Sequence, residues 1–317
     1  MRSMAARPST LDWFLFGLIS FFWGSSYLFI KIGVETMPPL TLIAGRLFFG
    51  SLVLGAALLI VRSPLPREPM TYAKLVFMAL INIVIPFTLI TWGEQYIDSS
   101  LAAILQAATP LFTIVIASLA LSEEAITLNR LVGLIIGFGG VVVLFSNSLG
   151  GRGTNSFQGE IALILSSLSY AIGGVFVRVN MRGLHPTVPA FFQVTIALLI
   201  TTGLALVVES PVQLPDTATE LFAVLWLGVF GSSLAYLIYF RLVHVLGPTR
   251  ISLITYVMPI VGIVLGILVL NETIDLRTII GTAIILAGVG LVNSSRGARR
   301  LFGRAPAEPP AEASRQA

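Results

Sequence analysis

The chain has 317 residues, 56% of them hydrophobic and only 11% charged, with a formal net charge of +4 and a mean hydropathy of +0.94. A soluble chain carries about a quarter charged residues. The two soluble domains that the length would allow are therefore excluded in favour of a polytopic membrane protein. The absence of cysteine excludes disulfides, thiol catalysis and thiolate metal sites, and the basic excess reads as a topology signal, with no nucleic-acid partner implied.

Ten apolar stretches are expected to span the bilayer: Leu11–Ile32, Leu40–Val61, Tyr72–Tyr96, Leu101–Leu121, Leu128–Phe145, Glu160–Val179, Val188–Val208, Leu221–Leu242, Ile251–Leu270 and Thr278–Val292. Residues 1–10 form a basic leader, and the apolar run behind them is too long, and lacks the small-residue pattern, for a cleaved signal peptide. The Arg-, Pro- and Ala-rich stretch at 295–317 has no apolar face and is expected to be disordered. With the amino terminus inside, the cytoplasmic loops and tails collect Arg2, Arg7, Arg62, Arg67, Lys74, Arg130 and most later arginines, whereas the outer side holds Lys31, Arg152 and Arg277. That bias predicts both termini in the cytoplasm.

The fourth span carries Pro110 near its middle, which removes the hydrogen bond to the Gln106 carbonyl and kinks the helix. A freed carbonyl must then face protein or a watery cavity. The pattern returns about 149 residues later, where Pro259 and Thr255 stand as Pro110 and Gln106 do, and Glu272 as Glu123. The halves also match at Trp23 and Tyr170, Lys31 and Arg178, Pro39 and Pro186, Gly133 and Gly281, and Gly140 and Gly288. Five spans per half is odd, so the second half enters from the opposite face as an inverted repeat.

Trp23-Gly24-Ser25-Ser26, Lys31, Pro38-Pro39, Arg46, the Pro110…Glu123 and Pro259…Glu272 patterns and the four matched glycines give the chain a resemblance to EamA-type carriers of the drug/metabolite transporter superfamily. The resemblance covers about residues 10–294 and implies an all-α bundle of ten transmembrane helices. Its repeats would be residues 11–146 and 158–294, joined by a linker at 147–157. It also implies a cavity lined by spans 1, 3, 4, 6, 8 and 9, and export or exchange of small metabolites. Gln193 stands where Arg46 does, and Glu94 has no counterpart, so the halves are expected to contribute unequal chemistry.

On the presumed lining spans, the candidate pathway residues are Trp23, Tyr27, Asn82, Thr88, Trp92, Gln106, Tyr170, Tyr236, Tyr239, Thr255 and Tyr256. Aromatic walls with a few amides and hydroxyls suit a small zwitterionic or neutral solute; packing and interface-belt roles are the alternative for each. Lys31, Arg46 and Glu94 are the candidates for a buried polar network or for coupling. Arginine at a helix centre costs about 2.5–3.5 kcal/mol and needs a partner or water. The other reading has both cations snorkel to the headgroups. Glu94 is the one carboxylate well inside a span, and His185 and His244 are placed in loops. Pro86 is a third candidate kink, freeing the Asn82 carbonyl. Glu272 is read either as a gate contact to Arg277 or as a cap on the helix that follows. The Gly133-Leu-Ile-Ile-Gly137 spacing suits internal packing or a seam in a homo-oligomer.

An enzyme is not expected, because the embedded part lacks clustered catalytic groups, and no phosphate-binding loop supports an ATP-driven pump. No cofactor or metal is implied. The expected function is secondary transport of small metabolites, amino acids or related compounds, out of the cytoplasm across a bacterial inner membrane. A carrier of drug-like or cationic solutes and a passive channel are the alternatives.

Overall fold

A backbone crossing hydrocarbon must satisfy its own amides and carbonyls, which leaves helices as the answer for a chain of uniform apolar spans. The computed structural model describes residues 9–121, 126–149, 156–181, 183–211, 213–246, 251, 254–293 and 300–302. Among these, ten membrane helices are formed. They are α1 (Thr10–Val34), α2 (Pro39–Val61), α3 (Pro69–Gly93), α4 (Ser99–Gln106 followed by Thr109–Ala120), α5 (Leu128–Leu149), α6 (Phe157–Asn180), α7 (Thr187–Val208), α8 (Ala218–Leu225, continuing to Leu246), α9 (Ile254–Leu270) and α10 (Leu276–Val292). Eight are long and apolar enough to cross a bilayer, and α9 and α10 are shorter apolar helices. His244, expected in a loop, lies instead on the last turn of α8, which runs past the apolar stretch. Glu123 lies outside the described residues, as does the tail apart from Arg300–Phe302, which pairs antiparallel with Ile126–Thr127.

The start of α1 is fixed by a reciprocal cap: Ser9 accepts from the Asp12 amide, and the Asp12 carboxylate accepts from the Ser9 amide and hydroxyl. Asp12 also pairs with Arg241 at 3.2 Å, tying α1 to α8. The matched glycines of the two halves meet one another. Gly133 on α5 lies against Gly288 on α10, and Gly140 against Gly281, so close that a Cβ at Gly133 or Gly140 would come within 2.7 or 2.8 Å of the opposing glycine carbonyl. The helices α5 and α10 thus close against each other inside one chain.

Two helices contain wide π-helical turns at matching places. Leu80–Val84 interrupts α3, and Trp226–Leu234 interrupts α8. Such turns splay carbonyls out of the α-helical ladder and are common at functional sites. In α3 the Ile85 amide bonds five residues back to Leu80. In that register the amide missing at Pro86 orphans Ile81, not Asn82 as α-helical counting expects, and the Ser169 hydroxyl fills the gap at 2.6 Å. In the other half the Trp23 indole donates to the Gly231 carbonyl of the wide turn at 3.2 Å.

Candidate functional site

The central helices are closed at one end and parted at the other. At the end away from the amino terminus, Ser99–Gln106 of α4 is buried along its whole length and packs against α9, where a Cβ on Gly262 would overlap Ala103. Past the break at Ala107–Ala108, Thr109–Ala120 makes no extended contact with the described part of α9. Likewise α1 touches the far half of α3, whereas the matching pair, α6 and Ala235–Leu246 of α8, makes no extended contact among the described residues. The space between α3, α4, α6, α8 and α9 therefore widens toward the end where the chain begins.

The closed end is fastened by charged side chains on main-chain groups. Glu272 accepts from the Ser99 amide and hydroxyl, both at 2.7 Å, and from the Ser100 amide at 3.0 Å. It thus caps the positive end of α4 rather than pairing with Arg277 or capping α10, whose cap is Asp275. Glu209 does the same for α2, accepting from the Leu40 and Thr41 amides at 2.8 Å. Lys31 donates to the carbonyls of Glu94 at 2.7 Å and Ile97 at 2.8 Å. Glu209 was not singled out from sequence, yet a signal exists: Pro38 precedes α2 where a capping side chain would stand, so the first amides need an acceptor from elsewhere.

At the break in α4, the Gln106 carbonyl freed by Pro110 accepts from the Thr109 hydroxyl at 2.8 Å. The Gln106 side chain takes a short hydrogen bond from Ser167 on α6 through its Oε1, while its Nε2 is buried without a partner. Arg46 reaches from α2 to the wide turn of α8, donating from Nε to Ser232 at 3.2 Å, with its guanidinium 4.1 Å from the Phe87 ring centroid. Tyr27, Tyr170, Tyr236 and Glu94 lie within its electrostatic reach. Trp23 packs on Tyr236 and Tyr239, with centroids 6.1 and 5.6 Å apart.

Those residues, from all the lining helices except α9, come together around the middle of the bundle. Others predicted with them stand elsewhere. Trp92 is on the outer surface, its ring tilted against Tyr96. Tyr256 accepts from Asn293, just past α10. Asn82 packs its amide on Gly173, and Thr88 and Thr255 are half-buried without a described hydrogen bond. Lys31, Arg46 and Glu94 are neighbours but are not joined side chain to side chain. Both Glu94 oxygens are fully buried with no hydrogen-bond partner, and Lys31, Arg46 and Glu272 are the charges that act on them. No group of three or more acidic or histidine ligands occurs among the described residues.

The model of the EamA-like transporter family matches residues 12–146 and 157–294. An uncharacterized inner membrane transporter of Escherichia coli K12, YedA, is 30% identical, over 85% of this chain and 86% of its own length. The uncharacterized transporter YoaV of Bacillus subtilis is 22% identical over 87% and 94%. The chloroplastic WAT1-related protein At3g02690 of Arabidopsis thaliana is 28% identical over 90% and 70%. One crystal structure aligns with a TM-score of 0.65 at 18% identity, covering 90% of this chain and 96% of the other, a likeness of fold.

Proposed function

The chain belongs to the EamA-like transporter family of the drug/metabolite transporter superfamily, and from that premise we propose that it is a secondary carrier exporting amino acids or related small metabolites by alternating access. It is a multi-pass membrane transporter and not an enzyme. One observation carries the rest: two similar halves hold the central helices packed at one end and parted at the other. A channel needs both ends open at once, whereas a carrier exposes its site to one side at a time. The loop bias of Lys and Arg puts the amino terminus inside, so this conformation opens to the cytoplasm, the side from which an exporter loads.

The aromatic group of Trp23, Tyr236 and Tyr239 favours a small, partly apolar solute. A carrier for hydrophobic cations would be better served by an accessible carboxylate, and Glu94 is sealed away on all sides. Counterflow in proteoliposomes tests the reading. With unlabelled amino acid preloaded, entry of the labelled form is expected to accelerate for at least one amino acid, and no acceleration for any would sink this substrate class.

Glu94 is the group to mutate for coupling. Within its electrostatic reach are Lys31 and Tyr27 from α1, Arg46 from α2 and Glu272 beyond α9. If a proton drives transport through Glu94, Glu94→Gln keeps counterflow but loses the response to an imposed pH gradient. Retention of that response would assign coupling elsewhere.

A further inference from the structure

Arg46 is a cation without an anion. It is only 4% exposed, and no carboxylate among the described residues lies within ion-pair distance of it. Its Nε is used by Ser232 and its face by Phe87. The two Nη nitrogens meet no described acceptor, and unlike the Glu94 oxygens they are not among the fully buried, unpartnered polar atoms. A guanidinium presents these nitrogens as a planar fork that matches the two oxygens of a carboxylate. Holding that fork half-used inside a membrane is costly unless something else completes it.

The Gln106 amide adds no second donor, since its Nε2 is as fully buried as the Glu94 oxygens.

We propose that Arg46 is the anchor for a carboxylate on the transported solute, which makes the substrate a carboxylate-bearing metabolite of the amino-acid class and not a cation. The assignment rests on the carrier reading and supplies its chemical class. Tyr27, Tyr170 and Tyr236 are within electrostatic reach of the anchor, and Trp23, packed on Tyr236 and Tyr239, offers a wall for the apolar remainder.

The test compares each of the twenty amino acids with its own carboxamide, which keeps shape and removes the anionic oxygen. Binding to the purified full-length protein is read as a shift in melting temperature, and transport as counterflow. At least one amino acid is expected to stabilise the protein while its carboxamide binds about tenfold weaker or less tightly still. Arg46→Gln should lose the discrimination together with the affinity. Arg46→Lys should keep part of both, as a point charge without the fork. A carboxamide that binds as tightly as its acid, in wild type, overturns the anchor without any variant having to fold. So does Arg46→Gln with unchanged affinity and discrimination, or no binding by any acid. Counterflow that ignores the carboxylate would leave the carrier reading standing and the anchor fallen. Selective binding without counterflow would do the reverse.

Discussion

Replacing Gly288 with valine is expected to abolish folded protein. A Cβ at this position would overlap the Gly137 main chain on α5 and stand 2.7 Å from the Gly133 carbonyl. These are backbone atoms and cannot rotate aside, unlike the leucine ends that a Cβ on Gly33 or Gly137 would meet. Relief requires pushing α5 and α10 apart, which also undoes the Gly140–Gly281 approach and exposes Leu134, Val141, Ile285 and Val289, all buried in the largest apolar cluster. Overpacking one site costs about 1–3 kcal/mol. The loss of a whole close-packed seam should exceed that, against a total stability of roughly 5–15 kcal/mol. The measurement is the monodisperse peak of a fluorescent fusion in mild detergent, expected to collapse for Gly288→Val and to weaken for Gly288→Ala. Gly203 on α7 has nothing within 4 Å of its added Cβ, and Gly203→Ala should leave the peak unchanged. An intact peak for Gly288→Val would mean that the α5–α10 contact is not made as described.

What the sequence disclosed was whatever proline, glycine and hydropathy dictate locally. Ten apolar runs became ten helices because a uniformly apolar run of this length satisfies its backbone in hydrocarbon by coiling on itself. Pro110 predicted an orphan carbonyl at Gln106, and Thr109 answers it. The paired glycines predicted close packing, and they meet across the halves. Partners far apart in sequence were not legible. Glu272 bonds Ser99 across 173 residues, and Glu209 bonds Thr41 across 168; a carboxylate just after a span looks the same whether it caps its own neighbour or a distant helix. Lys31, read as one member of a side-chain network, donates to two carbonyls where the chain turns after α3. Trp92 carries the same apolar signal whether it points inward or, as here, to the surface. The wide turns were invisible because an inserted residue in a helix is set by what packs against it. That is why the carbonyl presented to Ser169 is Ile81, one residue from the position that α-helical counting selects.

The closed end should open when Glu272 loses its charge. Its carboxylate serves three donors at once, two amides and a hydroxyl at the first turn of α4, where the helix dipole also favours an anion. Hydrogen bonds to a charged group contribute about 1.5–3 kcal/mol. Glutamine keeps one oxygen and turns an NH2 toward a donor, so Glu272→Gln should weaken the closed end by about 2 kcal/mol, a roughly thirtyfold shift in the balance between the two openings. Gly266 lets the carboxylate approach so closely, since a Cβ there would collide with it. The chain contains no cysteine, so a single cysteine at Ala103, buried where α4 packs on Gly262, reports opening directly. Labelling by a membrane-impermeant maleimide from the far side should be slow with Glu272 present and markedly faster in the Glu272→Gln background. If the proposed carboxylate anchor is right, the same variant should also bind its solute less tightly from the amino-terminal side, because fewer molecules face that way. Equal labelling in both backgrounds would show that apolar packing alone keeps this end shut, and would move the gate from the Glu272 cap to the contact between Gly262 and Ala103.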